Sequence, residues 1–196
     1  MTFHSPLPLD FDRDIAPDRA DADAVIAFWR EAGPAMWFAK DPAFDVAFRD
    51  RFAGHYARAA QGGLNHWITW TEGALALVIL LDQFPRNAFR GTPWMYATDP
   101  MALMVAEQAL ALGHWERAPD DVRMFMLLPF GHSERIEVQE RSARLAERFV
   151  PESADHALHH RDVVRRFGRF PHRNAILGRQ STTEEDEYLA SGGYAG

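Results

Sequence analysis

Helix punctuation constrains this chain more than any other feature. Asp41-Pro42 and Asp99-Pro100 each place a capping acid before a proline, whose fixed φ and missing N–H suit the first turn of a helix. Apolar spacing near 3.6 follows both starts. Phe44, Phe48, Phe52 and Tyr56 run at intervals of four to about Ala60, where Gly62-Gly63 stops the helix; Met101, Val105 and Leu112 lead to Gly113. Further helices are predicted over Asp21–Glu31, stopped by Gly33-Pro34, and from Thr71 to about Asp82 or Gln83. Others are predicted over Pro119–Leu128, from a Ser133 cap to about Phe149, and from Ser153 to about Phe167. Thr182 with Glu185 forms a capping box for a last short helix through Leu189, beyond which Ser191–Gly196 should fray.

No segment alternates as a strand, and no Asn-Gly or Asp-Gly hairpin occurs. The expected fold is all-α, about eight helices in antiparallel pairs forming a single domain over residues 1–196. Residues 1–17 and 191–196 are expected to be flexible ends. The length of 196 residues suits one core, and the absence of cysteine excludes disulfides, thiolate metal sites and a Cys nucleophile. Residues 1–14 carry neither the basic nor the apolar region of a signal peptide. The longest apolar run, Ala74–Leu81, is far short of the roughly 20 residues that span a bilayer. A cytoplasmic location without a membrane partner is the expectation. A net charge of −7, from 28 acids and 21 bases, disfavours a nucleic-acid partner, since phosphate neutralisation needs a basic field.

Two corners echo each other. Phe84-Pro85-Arg86-Asn87-Ala88-Phe89-Arg90-Gly91 resembles Phe170-Pro171-His172-Arg173-Asn174-Ala175-Ile176-Leu177-Gly178, with a one-residue gap at His172. In both, the residue before proline is expected to leave helical geometry. Either the arginines cap the preceding helices' last carbonyls, or both corners present Arg and Asn to one pocket. The first corner runs on to Ala97, longer than an ordinary connection.

Polar residues at apolar positions mark the candidate site. Asp82 ends an almost wholly apolar helix, in line with Leu75, Val78 and Ile79, at the negative end of the helix dipole. Burial and dipole both disfavour its charge, so it needs a cation or donors, with Arg86, Arg90 and the second corner as candidates. It is either a structural ion pair or a catalytic carboxylate. His132 and Glu134 in Phe130-Gly131-His132-Ser133-Glu134 are either a helix start or a base with its orienter. His-x-Glu also has two metal-ligand types, but its spacing alone specifies no metal and none is assigned. Gln139 lies on the Ile136–Ala143–Ala146 face and needs partners. From His159 to Arg179 there are six arginines and three histidines against one acid, Asp162. That patch suits phosphate or carboxylate, or else is a solvated face; His160, beside Val163 and Val164, reads as a core histidine. Trp29, Trp37, Phe38, Trp67, Trp70, Trp94 and Trp115 read as core or pocket wall. No nucleophile elbow, Walker loop, dinucleotide fingerprint or His-Glu-x-x-His motif is present.

Three stretches together resemble a known family. They are Leu80-Leu81-Asp82-Gln83-Phe84-Pro85-Arg86-Asn87 with Arg90-Gly91-Thr92, Pro129-Phe130-Gly131-His132-Ser133-Glu134 with Gln139, and Phe167-Gly168-Arg169-Phe170-Pro171-His172-Arg173-Asn174 with Gly178-Arg179 and Ser181-Thr182. In this order they resemble the bacterial family catalogued as domain of unknown function 924, over about Ala24 to Leu189. The resemblance implies an all-helical fold similar to tetratricopeptide-repeat-like proteins. It implies no activity, cofactor or catalytic residue.

Two readings follow. In the first, Asp82, Arg86, Asn87, His132, Glu134, Gln139, Arg169, His172, Arg173 and Asn174 converge between helices on a small anionic molecule, a phosphate or carboxylate. Arg86, Asn87, Gln139, Arg169, Arg173 and Asn174 would bind it. His132 or His172 would move protons, with Glu134 or Asp82 as orienter, in hydrolysis or a related acid–base reaction. In the second, the chain is a helical scaffold that binds a peptide, whose C-terminal carboxylate could use the same arginines.

Overall fold

The computed structural model describes residues 11–196 and is all-α, with no strand among the described residues. Residues 1–10, where part of the expected flexible N-terminal end falls, lie outside the described residues. Helix α1 spans Phe11–Ala32 and so begins ten residues before the expected start at Asp21. Helix α2 spans Pro42–Ala60, and its cap is as predicted, with Asp41 accepting from the Phe44 N–H at 2.9 Å.

Helix α3, Thr71–Val78, is the centre of the molecule. Every one of its residues except Glu72 is buried, which fits a helix apolar all round. It packs on α1, on α5 (Asp99–Ala111) and on α6 (Met124–Gly131). Its start is pressed against the short turn Asn65–Thr69, and a Cβ on Gly73 would fall 2.3 Å from the Trp67 carbonyl oxygen.

The predicted helix end at Asp82 or Gln83 is not there. The chain passes from α3 through one wider, π-type turn at Ile79–Gln83 directly into α4, Phe84–Ala88. Phe84, before Pro85, therefore stays helical (φ −53°, ψ −50°), against expectation, because the wide turn makes room for the proline ring. The equivalent Phe170 is extended (φ −91°, ψ 108°), as expected. The first corner is thus a helical segment, followed by the short turn Pro93–Tyr96, and not one long loop.

Pro129 lies inside α6 instead of ending a helix before it, and α6 starts only at Met124. Helix α7, Ile136–Phe149, begins after Arg135, while Ser133 forms a local turn by accepting from the Arg135 N–H at 3.2 Å. Helix α8, Ala154–Phe167, packs along α7 and ends at Gly168 in the left-handed region. The capping box of Thr182 and Glu185 opens α9, Thr183–Ala190. A large core joins α1–α8; a smaller one of Val163, Val164 and Phe170 packs against Phe167, Tyr188 and Tyr194. The tail therefore returns to the body, the Tyr194 N–H donating to the Tyr188 hydroxyl at 2.9 Å. Among the described residues no helix is long and apolar enough to cross a membrane.

Candidate functional site

The order Phe-Pro-Arg-Asn in the first corner has a local physical reason. Pro85 has no N–H for the Leu81 carbonyl, and that oxygen instead accepts from the Thr98 hydroxyl at 2.5 Å. The next two side chains reach back one turn. Arg86 donates from Nη1 to the Asp82 carbonyl at 2.7 Å, and the Asn87 amide donates to the Gln83 carbonyl at 2.9 Å. The Phe84 N–H spans five residues to the Ile79 carbonyl, which is what widens the turn.

That turn aims Asp82 inward, where it is fully buried. One carboxylate oxygen accepts from the Gln83 amide at 2.6 Å; the other lies 2.7 Å from His132 Nδ1 and 3.2 Å from Arg86 Nη1. Burial alone would raise its pKa, but Arg86 and His132 hold it down at about 2. Burial, with the positive Arg86, pushes His132 below its ordinary value against the opposing pull of Asp82. A neutral imidazole facing a carboxylate donates from Nδ1, because the carboxylate only accepts. Nε2 is then left bare, and it has no hydrogen-bond partner among the described residues. The His132 side chain keeps 14% of its surface exposed. Asp82 thereby holds the His132 ring in one tautomer.

Arg86 also forms a two-point pair with Asp99 at the start of α5, at 2.8 and 3.0 Å. Asp99 joins the two echoing corners, because Arg173 Nη1 of the second corner lies 3.7 Å from its Oδ2, which already accepts from Arg86 Nη2. Arg173 is only 6% exposed. Its guanidinium carbon lies 4.7 Å from the Tyr96 ring centre and 4.6 Å from that of Phe170. Its Nε is sealed from solvent without a partner, and no hydrogen bond from its side chain occurs among the described residues. Burial and the nearby Arg86 lower its pKa.

Two further histidines line this region. His172 is pushed down to about 4 and His160 to about 3, in both cases chiefly by burial. Both rings pack on Tyr194, with centroid distances of 5.0 and 4.6 Å. Gly131 lets His160 approach the end of α6: a Cβ there would sit 3.3 Å from His160 Nδ1. Among the described residues the buried Gln139 Oε1, Ser142 Oγ and His172 Nδ1 have no partner.

Of the residues expected to converge, Asp82, Arg86, His132 and Arg173 do so around Asp99, with His172 beside Arg173 through Phe170. The others hold the backbone that carries them. Glu134 takes two bonds from Arg179, at 2.6 and 2.9 Å, and one from the Phe170 N–H at 2.8 Å, tying the His132 turn to the second corner. Gln139 donates to the Gly131 and Ser133 carbonyls at 2.7 and 2.6 Å. Asn87, besides Gln83, accepts from Arg90 at 3.0 Å. Arg169 and Asn174 both donate to Glu185 at the start of α9, away from Asp82. Asp99, Tyr96 and Tyr194 join the cluster without having been singled out. Asp99 reads in the sequence as a helix cap, but it is the first residue of α5 behind Thr98, makes no cap hydrogen bond and gives its carboxylate to Arg86; neither tyrosine carries a motif. His160, expected as a core residue, is only partly buried.

Surface cavities of about 440 and 270 Å³ lie elsewhere, the first between Asp23, Arg30 and Glu72, the second between Ile68, Leu77 and Met104. Neither is lined by Asp82, Arg86, His132 or Arg173. Among the described residues no three His, Asp or Glu side chains gather in a way that could hold a metal ion.

The family model described as "bacterial protein of unknown function (DUF924)" matches residues 25–193. A solved structure of a protein of unknown function from Agrobacterium tumefaciens is 48% identical, covers 88% of this chain and 98% of its own, and superposes with a TM-score of 0.86. No curated protein matches.

Proposed function

The chain belongs to the DUF924 family of bacterial proteins of unknown function, and we propose that it binds a small anionic ligand, a phosphate or a carboxylate, beside an acid–base pair. The observation that most supports this is Arg173, a buried guanidinium without a hydrogen bond among the described residues. Buried cations are ordinarily paired, and the fork of donors on a guanidinium matches two oxygens of one anion. Of the two carboxylates whose charge acts on it, Asp99 is already held at two points by Arg86 and Glu134 at two points by Arg179.

In this reading Arg173 takes the anion and His132 Nε2 takes a proton from water or from a hydroxyl of the ligand. Asp82 holds the ring and stabilises the imidazolium that forms. Arg86 keeps Asp82 ionised and anchors it. His172 would be the second proton carrier on the Arg173 side. Hydrolysis or a related acid–base reaction fits this set. Asn87, Gln139, Glu134, Arg169 and Asn174 support the site from behind.

Thermal unfolding against phosphate, nucleotide and carboxylate panels tests the reading. A ligand at about 100 times its Kd should stabilise the parent by about 2.7 kcal/mol. The same ligand should leave a folded Arg173→Gln variant unmoved. A flat response of the parent across all panels, with capture of one protein on immobilised chain, would favour the tetratricopeptide-like scaffold instead.

A further inference from the structure

The chain reverses sharply after α9. Gly192 takes a left-handed φ of 86°, and the Gly193 N–H returns to the Tyr188 carbonyl at 2.9 Å. A Cβ on Gly193 would fall 2.5 Å from the Tyr188 ring, so the tail doubles back along the last turn of the helix only because no side chain stands there. The Tyr194 N–H then donates to the Tyr188 hydroxyl at 2.9 Å. This reversal lays the Tyr194 ring over two histidines of the site. Its centre lies 4.6 Å from that of His160 on α8, and 5.0 and 6.0 Å from those of His172 and Phe170 in the second corner. Gly196 closes another side of His172: a Cβ there would sit 3.1 Å from Nε2, while Nδ1 is sealed from solvent. The low pKa of both histidines, set chiefly by burial, agrees with imidazoles kept under cover.

What holds this cover down is slight. The tail beyond α9 lies outside any helix, and Ala195 and Gly196 make no hydrogen bond among the described residues. Tyr194 is its one large side chain. Segments with so few contacts open locally at low free energy, and a hinge needs residues that absorb a large change in φ and ψ, which Gly192 and Gly193 permit. Resting on the place given to His172 in the anion site above, we propose that residues 192–196 are a strap that swings about Gly192. Closed, it keeps small molecules from His160 and His172; a ligand reaches them only when it lifts.

Diethyl pyrocarbonate, a small reagent that acylates neutral imidazoles, reads access in the full chain, with peptide mass spectrometry giving a rate for each histidine. His156, exposed on α8, is the reference. In the parent, His160 and His172 should react more slowly than His156. A folded Tyr194→Ala variant should raise both rates by about tenfold or more, having lost a packed ring. Gly192→Ala removes no covering atom: its Cβ meets nothing within 4 Å, and the left-handed φ strains only the closed strap. It should raise both rates about fivefold and leave His156 unchanged. An effect of Tyr194→Ala without one of Gly192→Ala would show a fixed cover and overturn the strap. So would two variants that match the parent, or a His172 that reacts as fast as His156 in the parent. The assay contains no anion, so a strap that fails leaves the Arg173 site standing, and an anion site refuted by Arg173→Gln leaves the opening of the tail standing.

Discussion

Replacing Arg173 with methionine should make the unliganded protein more stable. The guanidinium is 6% exposed, lacks hydrogen bonds among the described residues and has Arg86 as a like-charged neighbour. Desolvating such a cation costs several kcal/mol in practice. Three contacts offset this: the rings of Tyr96 and Phe170, about 1 kcal/mol each, and a 3.7 Å approach to Asp99. Asp99 loses little when Arg173 goes, because Arg86 still holds both its oxygens. Methionine fills much of the same volume and can pack against both rings. Swaps of buried ionic groups for apolar ones stabilise by about 1–4 kcal/mol where they help at all. A gain near 2 kcal/mol would raise Tm by about 4–8 °C for a chain of this size. The contrast is Arg86→Met, which leaves the buried Asp82 and the partly buried Asp99 without their arginine and should cost about 3–5 kcal/mol. Thermal and urea unfolding at neutral pH, at one protein concentration, measure both. If Arg173→Met destabilises as Arg86→Met does, Arg173 is an ordinary structural ion pair and the argument for a waiting anion site fails.

Three further outcomes are expected. Stability should fall as pH drops below about 6.5, because His160, His172 and His132 all have folded pKa values below the unfolded one. The loss should continue to about 3, and His160→Gln should flatten that slope in pH-dependent urea unfolding. Thr98→Val should cost about 1–3 kcal/mol in the same assay by orphaning the Leu81 carbonyl that Pro85 cannot serve; an unchanged midpoint would show that another donor replaces the hydroxyl. Gly73→Ala should lower Tm more than Gly54→Ala, since a Cβ at 73 meets the Trp67 carbonyl at 2.3 Å while one at 54 meets nothing.

The helix boundaries that sequence revealed were those written in short-range chemistry. The Asp41 cap, the Thr182–Glu185 box and the left-handed stops at Gly113 and Gly168 each need only a few adjacent residues. The junction at Ile79–Gln83 was hidden because its proline is accommodated by Thr98, fourteen residues beyond Phe84, which no local pattern announces. The same contrast holds for the site. Asp82 stands out as a charge on an apolar helix, with Arg86, Arg90 and the second corner as its expected cations; Arg86 takes that place, while Arg90 goes to Asp45. Asp99 does not stand out, because a proline after it gives a sufficient local reason for an aspartate. The likeness of the corners over-extended to Asn174, and the basic patch to Arg169: the second corner lies beside α9, and Glu185 there takes both side chains.

The widened turn ties chemistry to winding number. Each residue of an α-helix advances about 100° around the axis, so the one surplus residue in Ile79–Gln83 decides which way Asp82 and Arg86 look. Shortening this stretch by a single position would leave an apolar rod that still fits its groove, yet swing the arginine a quarter-turn or more from Asp99. Inheritance of the scaffold and inheritance of the cleft are therefore separable in this architecture, and insertions or deletions here would silence one without dissolving the other.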